Sequence, residues 1–187
     1  MLILKSYADK LKKEEGLSAY PYQRLMTSAY PLYKSNNFKL KKQMIHQQVK
    51  LEKYNDWLID VYYGVTRFHV NTIMDKLHEI GCDGRNAKQA YENLSSGDLN
   101  TGLTYSNYEK RHSIMVVGVA DSPEQFINSL THEQAHVMTH IAKTFDIDMY
   151  GEEVCYLIGK IAQSTFVVAK NFMCECECCI NKVQDMI

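Results

Sequence analysis

The sequence contains little proline and little glycine, with 3 Pro and 9 Gly among its 187 residues. This scarcity excludes collagen-like chains and the flexible or stiff linkers that are rich in these two residues. No run of apolar residues reaches the roughly 18 that a membrane-spanning helix needs, and the apolar stretch at residues 1–4 is too short for the core of a signal peptide. We therefore expect a folded, cytoplasmic protein that does not cross a membrane.

The chain also lacks a strong net charge, because 21 Lys and Arg nearly balance 22 Asp and Glu. The charges are unevenly distributed: residues 1–60 hold 11 basic and 6 acidic residues, and residues 61–187 hold 10 and 16. A basic first third can contact phosphate or an acidic partner, but a solvated helical surface that complements the acidic remainder explains the pattern better. We do not expect a nucleic-acid partner.

Six cysteines would suggest disulfides in a secreted protein, but without an export signal we expect them to stay reduced. Four of them lie in the segment Cys174–Cys179, where acidic residues separate the first three. This alternation fits a short strand with small buried side chains on one face. Thiolates also bind soft metals or take part in redox chemistry, and the segment could instead contact a partner, so all three interpretations stay open.

The first part of the chain has a helical pattern. Apolar residues recur at loosely helical spacing through residues 1–60 and again over residues 56–80, after which Gly81 suits a helix end. We therefore predict a helical N-terminal region over residues 1–81.

The second part, residues 82–187, combines strand and helix signals. Residues 103–108 and 113–120 are separated by a short polar turn, and the second of these runs is β-branched and apolar. This arrangement predicts a β-hairpin.

A long helix is predicted directly after the hairpin. Ser122, Pro123 and Gln125 form a capping-box pattern with proline in the first turn, and helical spacing continues to about Thr144. A second helix is predicted from Glu152 to about residue 168, folded back in antiparallel fashion. The expected fold class is α+β and mostly helical. Residues 82–187 are expected to form one compact region, and the motif that predicts metal binding in it lies in the long helix.

The long helix contains the sequence His132-Glu133-Gln134-Ala135-His136, an HExxH motif. Side chains at positions i and i+4 lie on one face of a helix, about 5–6 Å apart, so two imidazoles can bind one Zn²⁺. Glu133 is rotated off that line, and its carboxylate can act as a general base without binding the metal. His140 lies too far along and around the helix from His132 to share the ion. We assign it to packing or to the surroundings of the site.

A catalytic zinc usually has three protein ligands, so a third should follow on a neighbouring element. Glu152 and Glu153 are the candidates at the start of the next helix. We favour Glu152 because Cys155, three residues on, is small enough for two helices to approach, whereas Tyr156 would occupy that place for Glu153. The other glutamate would be a solvated carboxylate in the first helical turn.

The stretch His132–His136, followed by Glu152–Gly159, resembles the gluzincin branch of zinc metallopeptidases. More narrowly, it is similar to small HExxH proteins encoded by phages and mobile elements. The resemblance covers about residues 102–163. If the chain is encoded by a phage, the resemblance implies that the protein is located in the cytoplasm of the host cell.

The resemblance implies a minimal zincin-like core, in which a short sheet accompanies the metal helix and an antiparallel helix follows it. It also implies that the strand Ser113–Ala120 runs along the cleft, with an exposed edge that could pair with an extended peptide. A Tyr or His often stabilises the oxyanion in such enzymes, and Tyr150, Tyr156 and His140 are available.

Two functions are expected from this pattern. The first is a zinc-dependent peptidase with His132, His136 and Glu152 as ligands, Glu133 as general base, and a protein or peptide as substrate. The alternative is a phage or mobile-element structural or interaction protein that keeps a zincin-like fold without catalysis.

Overall fold

The computed structural model describes residues 44–96 and 102–173, which form a four-stranded mixed sheet with helices packed against both faces. The spatial order of the strands is β1-β2-β4-β3. The outer pairs are antiparallel, and the central pair of β2 and β4 is parallel. The fold class is therefore α+β, as predicted. The elements are β1 Ile45–Leu51, β2 Trp57–Val65, α1 Val70–Glu79, α2 Gly84–Ser95, β3 Leu103–Asn107, β4 His112–Gly118, α3 Pro123–Thr144 and α4 Glu152–Ala169.

The helix predicted over residues 56–80 is wrong for residues 57–65, which form β2. This strand is buried on both faces, with Ile59 in one core layer and Tyr62 in the other. A strand of this kind reads as a nearly continuous apolar run, which periodicity alone cannot separate from a buried helix. The prediction of a helical region over residues 1–81 is also wrong for Ile45–Leu51, which form the strand β1. Residues 1–43 and the segment Cys174–Cys179 lie outside the described residues.

Later in the same region the prediction holds, because residues 70–79 form α1. Gly81 follows this helix with a φ of +89°, and its N–H donates to the carbonyl of His78. Glycine adopts this left-handed conformation without strain, which is why it ends the helix.

The two faces of the sheet bury separate apolar layers. On one face, Ile59 and Met115 pack with Leu130 and Val137 of α3 and with Leu157 of α4. On the other face, α1 and α2 cover the second layer. The sheet side chains in that layer are Tyr62, Val65, Ile114 and Val116. Alternation along each strand sends neighbouring residues to opposite layers.

The predicted hairpin is confirmed, because β3 and β4 pair with Leu103 opposite Val116 and Asn107 opposite His112. The expectation that the Ser113–Ala120 strand has an exposed edge is wrong. β4 lies between β2 and β3, so both of its edges are hydrogen-bonded. Among the described strands, the free edge on this side of the sheet belongs to β3.

The predicted long helix and its cap are confirmed. Pro123 is in the first turn, and the hydroxyl of Ser122 accepts a hydrogen bond from the backbone N–H of Gln125 at 3.2 Å. α4 begins at Glu152, as predicted. In the described part of the chain, no helix is long and apolar enough to cross a membrane.

A buried carboxylate lies on the face of the sheet that α1 and α2 cover. Asp60 of β2 accepts hydrogen bonds from Nε2 of His46 at 2.8 Å, from Nε2 of His112 at 2.6 Å and from the amide of Gln48 at 3.1 Å. Burial alone would raise the pKa of Asp60, but these hydrogen bonds outweigh it and lower the pKa to about 2. The ionised carboxylate therefore ties three strands of the sheet together.

Replacing Asp60 with Asn should lower the free energy of unfolding at neutral pH by about 2 kcal/mol, since each pKa unit corresponds to about 1.4 kcal/mol. The pKa of Asp60 is below its ordinary value of 3.8, so this stabilisation is present above about pH 4 and is lost as the pH falls toward 2. Urea unfolding across this range measures it. Asp75→Asn on the exposed side of α1 is the control, and an unchanged acid slope in Asp60→Asn contradicts the assignment.

Candidate metal centre

The two histidines of the HExxH motif lie together on α3. Nε2 of His132 and Nε2 of His136 are 3.1 Å apart, and the rings meet edge to face. Two nitrogens that share a tetrahedral zinc at 2.0–2.1 Å are separated by about 3.3 Å, so this spacing suits a common ion. Both residues are exposed overall, but the ring of His136 is partly shielded from water. This partial burial, and then the neighbouring His132, lower the pKa of His136 and favour the neutral imidazole, the form that binds metals.

The carboxylate of Glu133 is buried beside the edge strand β3. Glu133 is 2% exposed, and its Oε2 accepts a hydrogen bond of 2.7 Å from the hydroxyl of Thr104. Within the described residues, no buried side-chain oxygen lacks a partner. Because Oε1 makes no hydrogen bond to a described residue, it must keep contact with solvent. One oxygen of Glu133 is therefore anchored and the other is accessible to water.

Burial raises the pKa of Glu133 to about 7, and the hydrogen bond from Thr104 opposes this rise only in part. A carboxyl group with a pKa near neutrality can both accept and release a proton at physiological pH. This is the property that a general acid–base residue needs.

The backbone at Gly102 makes room for that carboxylate. Gly102 has a φ of +124°, and a Cβ placed there would lie 2.3 Å from the carbonyl oxygen of Val116 and 2.9 Å from Cγ of Glu133. Only glycine fits this close approach of the start of β3 to α3. Sequence reasoning missed Gly102 and Thr104, although both lie at the start of a correctly predicted strand.

A chain of buried hydrogen bonds leads from the core to His140. Nε1 of Trp57 donates to Oγ of Ser113 at 2.9 Å, Ser113 and Ser106 share a bond of 2.7 Å, and Oγ of Ser106 lies 2.9 Å from Nδ1 of His140. An indole can only donate. Since Ser113 is fully buried and has no other side-chain partner, its own hydrogen must point to Ser106.

The direction of this chain favours one tautomer of His140. Ser106 accepts from Ser113, which leaves its own hydroxyl hydrogen to donate to Nδ1 of His140. The pKa of His140 is lowered by burial first and then by the charges of His136 and Lys143, which favours the neutral ring. In that arrangement the ring proton lies on Nε2, the nitrogen that Ser106 does not contact.

The structure does not bring Glu152 to the two histidines. The amide of Gln134 donates to Oγ1 of Thr165 on α4 at 2.7 Å, which shows the side of α3 that α4 covers. His132 and His136 are each two residues from Gln134, or about 200° around the helix. They project from the opposite side of α3.

The length of α3 beyond the motif also separates Glu152 from the two histidines. α3 continues for eight residues beyond His136, about 12 Å, before it ends at Thr144. Glu152 is the first residue of α4 and is exposed, whereas Glu153 forms an ion pair with Lys53 at 2.9 Å. Among the residues that the structure describes, no set of three His, Cys, Asp or Glu side chains could hold a metal ion.

The other two candidate oxyanion donors are exposed side chains outside α3. Tyr150 is 99% exposed in the connection between α3 and α4, and Tyr156 is 72% exposed on α4. His140, by contrast, is on α3 itself, and its ring centroid is 6.2 Å from that of His136. Of the three residues left open by the sequence, His140 is the one that the fold places beside the motif.

Comparison with known proteins assigns no family to this geometry. No protein-family model matches the chain, and no match is found among curated proteins or solved structures. The site must therefore be interpreted from its own residues.

Glu133→Gln should change how the stability of the metal-free protein depends on pH. Between the ordinary pKa of 4.5 and the raised value of about 7, the folded protein binds more protons than the unfolded chain, so rising pH destabilises it. Glutamine cannot ionise, and the variant should avoid a loss of about 3 kcal/mol above neutral pH. Urea unfolding with a chelator present measures this difference. Exposed Glu109→Gln should leave the wild-type slope unchanged, and the same slope in Glu133→Gln would contradict the raised pKa.

Proposed function

We propose that the chain is a zinc-dependent peptidase with its metal at His132 and His136. The observation that carries the proposal is the pair of Nε2 atoms 3.1 Å apart, open to solvent, next to the buried carboxylate of Glu133. Two imidazoles and an adjacent general base are the elements that the HExxH motif supplies to metallopeptidases. This proposal keeps the zincin-like interpretation of the sequence, with a changed ligand set.

The donor set suits zinc, because neutral imidazole nitrogen is one of its preferred ligands. When bound, zinc lowers the pKa of a coordinated water and polarises a carbonyl group. Because no third ligand joins them among the described residues, the protein ligands of the proposed site are His132 and His136. Water or substrate would complete the coordination.

Glu133 is suited to move the proton in this reaction. Its Oε2 is held by Thr104, which fixes the side chain, while Oε1 stays accessible to water. Oε1 can accept a proton from the attacking water and later release it to the leaving amine. The pKa of about 7 allows both steps near neutral pH.

His140 is the side chain that we assign to the oxyanion. Its Nε2–H is a donor, because the chain from Trp57 through Ser113 and Ser106 makes Nδ1 an acceptor. A neutral imidazole held in one tautomer can donate to a developing negative charge without first losing or gaining a proton.

The free edge of β3 is where we expect the substrate to bind. This strand has β4 on one side, and its Thr104 and Ser106 contact Glu133 and His140. An extended peptide that adds to this edge would lie next to the functional face of α3. We therefore assign the pairing with an extended peptide to β3 and not to the strand of residues 113–120.

One observation favours the alternative of a non-catalytic protein that keeps a zincin-like fold. A catalytic zinc usually has three protein ligands, and the described residues bring only two together. A chain without metal and without hydrolytic activity would fit this alternative.

Metal binding should depend on the histidine pair and not on Glu152. We expect one zinc per chain in the purified protein, lost in His132→Ala and His136→Ala because each removes half of the ligands. Elemental analysis after dialysis against zinc measures it. His78→Ala on α1 is the control, because it removes a histidine outside the proposed site and should leave the zinc content unchanged.

Glu152→Gln and Glu153→Gln provide the matched comparison for the third ligand. Both should keep the zinc content of the wild type, since α4 lies on the far side of α3. Loss of zinc in Glu152→Gln alone would restore the ligand set that the sequence predicted and would overturn the geometry proposed here.

Turnover should require Glu133. Glu133→Gln keeps the size of the side chain and both histidines, so it should retain zinc but lose at least a hundredfold in kcat, the lower range for a lost general base. Hydrolysis of a library of quenched fluorescent peptides by the zinc-loaded protein is the measurement. A variant that cleaves at the wild-type rate eliminates this mechanism.

A further inference from the structure

The outer face of α4 exposes large apolar side chains. Tyr156 is 72% exposed, Val167 is 57% exposed and Phe166 is 53% exposed. The opposite face of the same helix is firmly buried in the core through Leu157 and Ile161. The rotation of α4 is therefore fixed, and these three side chains are held away from the core. Exposed aromatic residues grouped on one helix face indicate a contact surface.

The outward positions follow the spacing of a helix-pairing seam. Glu152, Tyr156, Gly159, Gln163, Phe166 and Lys170 are separated by alternating steps of four and three residues. All six are exposed. This is the 3.5-residue repeat with which one helix packs along another.

The spacing of the seam is the same in both chain directions, and residues of matching or opposite type lie at equal distances from its centre. Ile161 lies midway between Tyr156 and Phe166, and also midway between the acidic Glu152 and the basic Lys170. In an antiparallel pair of identical helices related by a two-fold axis at this level, aromatic residues would meet aromatic residues. Each carboxylate at one end would meet the ammonium group of the other copy.

We propose that two copies of this chain associate through this face, with their α4 helices antiparallel. A two-fold interface must be complementary to itself. The order acidic, aromatic, small, polar, aromatic, basic from Glu152 to Lys170, the residue that directly follows α4, meets that condition. Phe166 and Val167 of each copy pack against Tyr156 of the other. The proposal does not depend on zinc or on catalysis.

The neighbouring charges support a second copy as the occupant. Glu153 is paired with Lys53 of its own chain. Glu152 has no ion pair among the described residues, so its charge is available to Lys170 of the second copy. The charge closest to the two-fold axis is Lys160, which lies on the flank of the seam. The two copies of Lys160 repel each other, so Lys160→Ala should strengthen the association.

A charge exchange tests this arrangement. Glu152→Lys and Lys170→Glu each place like charges together at two symmetric points and should weaken dimerisation about tenfold, since each contact occurs twice. The double variant restores opposite charges and should recover the wild-type affinity. Sedimentation equilibrium over a dilution series into the micromolar range measures the dissociation constant, with a chelator present to separate the result from metal binding.

A second set of variants tests the apolar part. Phe166→Asp should abolish the dimer, and Phe68→Asp is the matched control because Phe68 is 74% exposed but lies outside α4. Circular dichroism and thermal unfolding establish that each variant folds.

Several results would overturn the proposal. These are a wild-type protein that stays monomeric at every concentration, a double variant that does not recover, and a dimer unaffected by Phe166→Asp. A monomer that Phe166→Asp destabilises would show instead that another segment of the same chain covers the face.

Discussion

The burial of Glu133 between α3 and β3 is the contact on which the rest of the site depends. A carboxylate placed there loses most of its water, and only the hydroxyl of Thr104 replaces part of it. The glycine at position 102 allows the strand to approach closely enough for this to happen. The same approach brings Ser106 to His140, while His132 and His136 stay exposed on α3. One packing contact thus anchors the carboxylate of Glu133, places a hydroxyl against His140 and leaves the histidine pair open to solvent.

The rotation of α3 about its own axis has equally direct consequences. Gln134 meets Thr165 in a buried hydrogen bond, and the apolar residues on either side of it face the sheet. This contact assigns α4 to one side of α3 and the histidine pair to the other. Among the described residues, Glu152 at the start of the following helix is therefore not grouped with the two histidines. The proposed peptidase site would be completed from the side of β3.

Much of this arrangement depends on β2, the strand that the sequence pattern concealed. Because β2 occupies one side of β4, the strand that resembled a cleft-lining edge becomes an interior strand, and the free edge passes to β3. Trp57 at the start of β2 also begins the hydrogen-bond chain that leads through Ser113 and Ser106 to His140. A residue far from the motif in sequence is therefore linked to a histidine beside it.

The sequence by itself determined the features that depend on short spacing. The capped helix α3, the β3–β4 hairpin and the shared face of His132 and His136 follow from rules that act within a few residues, such as the 100° turn per residue and the preferences of Ser and Pro at a helix start. Only the tertiary structure decided which side of α3 faces α4, that Glu133 is buried, and that Glu152 lies apart from the histidines. These outcomes depend on contacts between residues far apart in the sequence, such as Thr104 with Glu133, which are 29 positions apart, and Gln134 with Thr165, which are 31 positions apart. Local periodicity carries no information about such contacts, because it describes each helix before a partner has fixed its rotation.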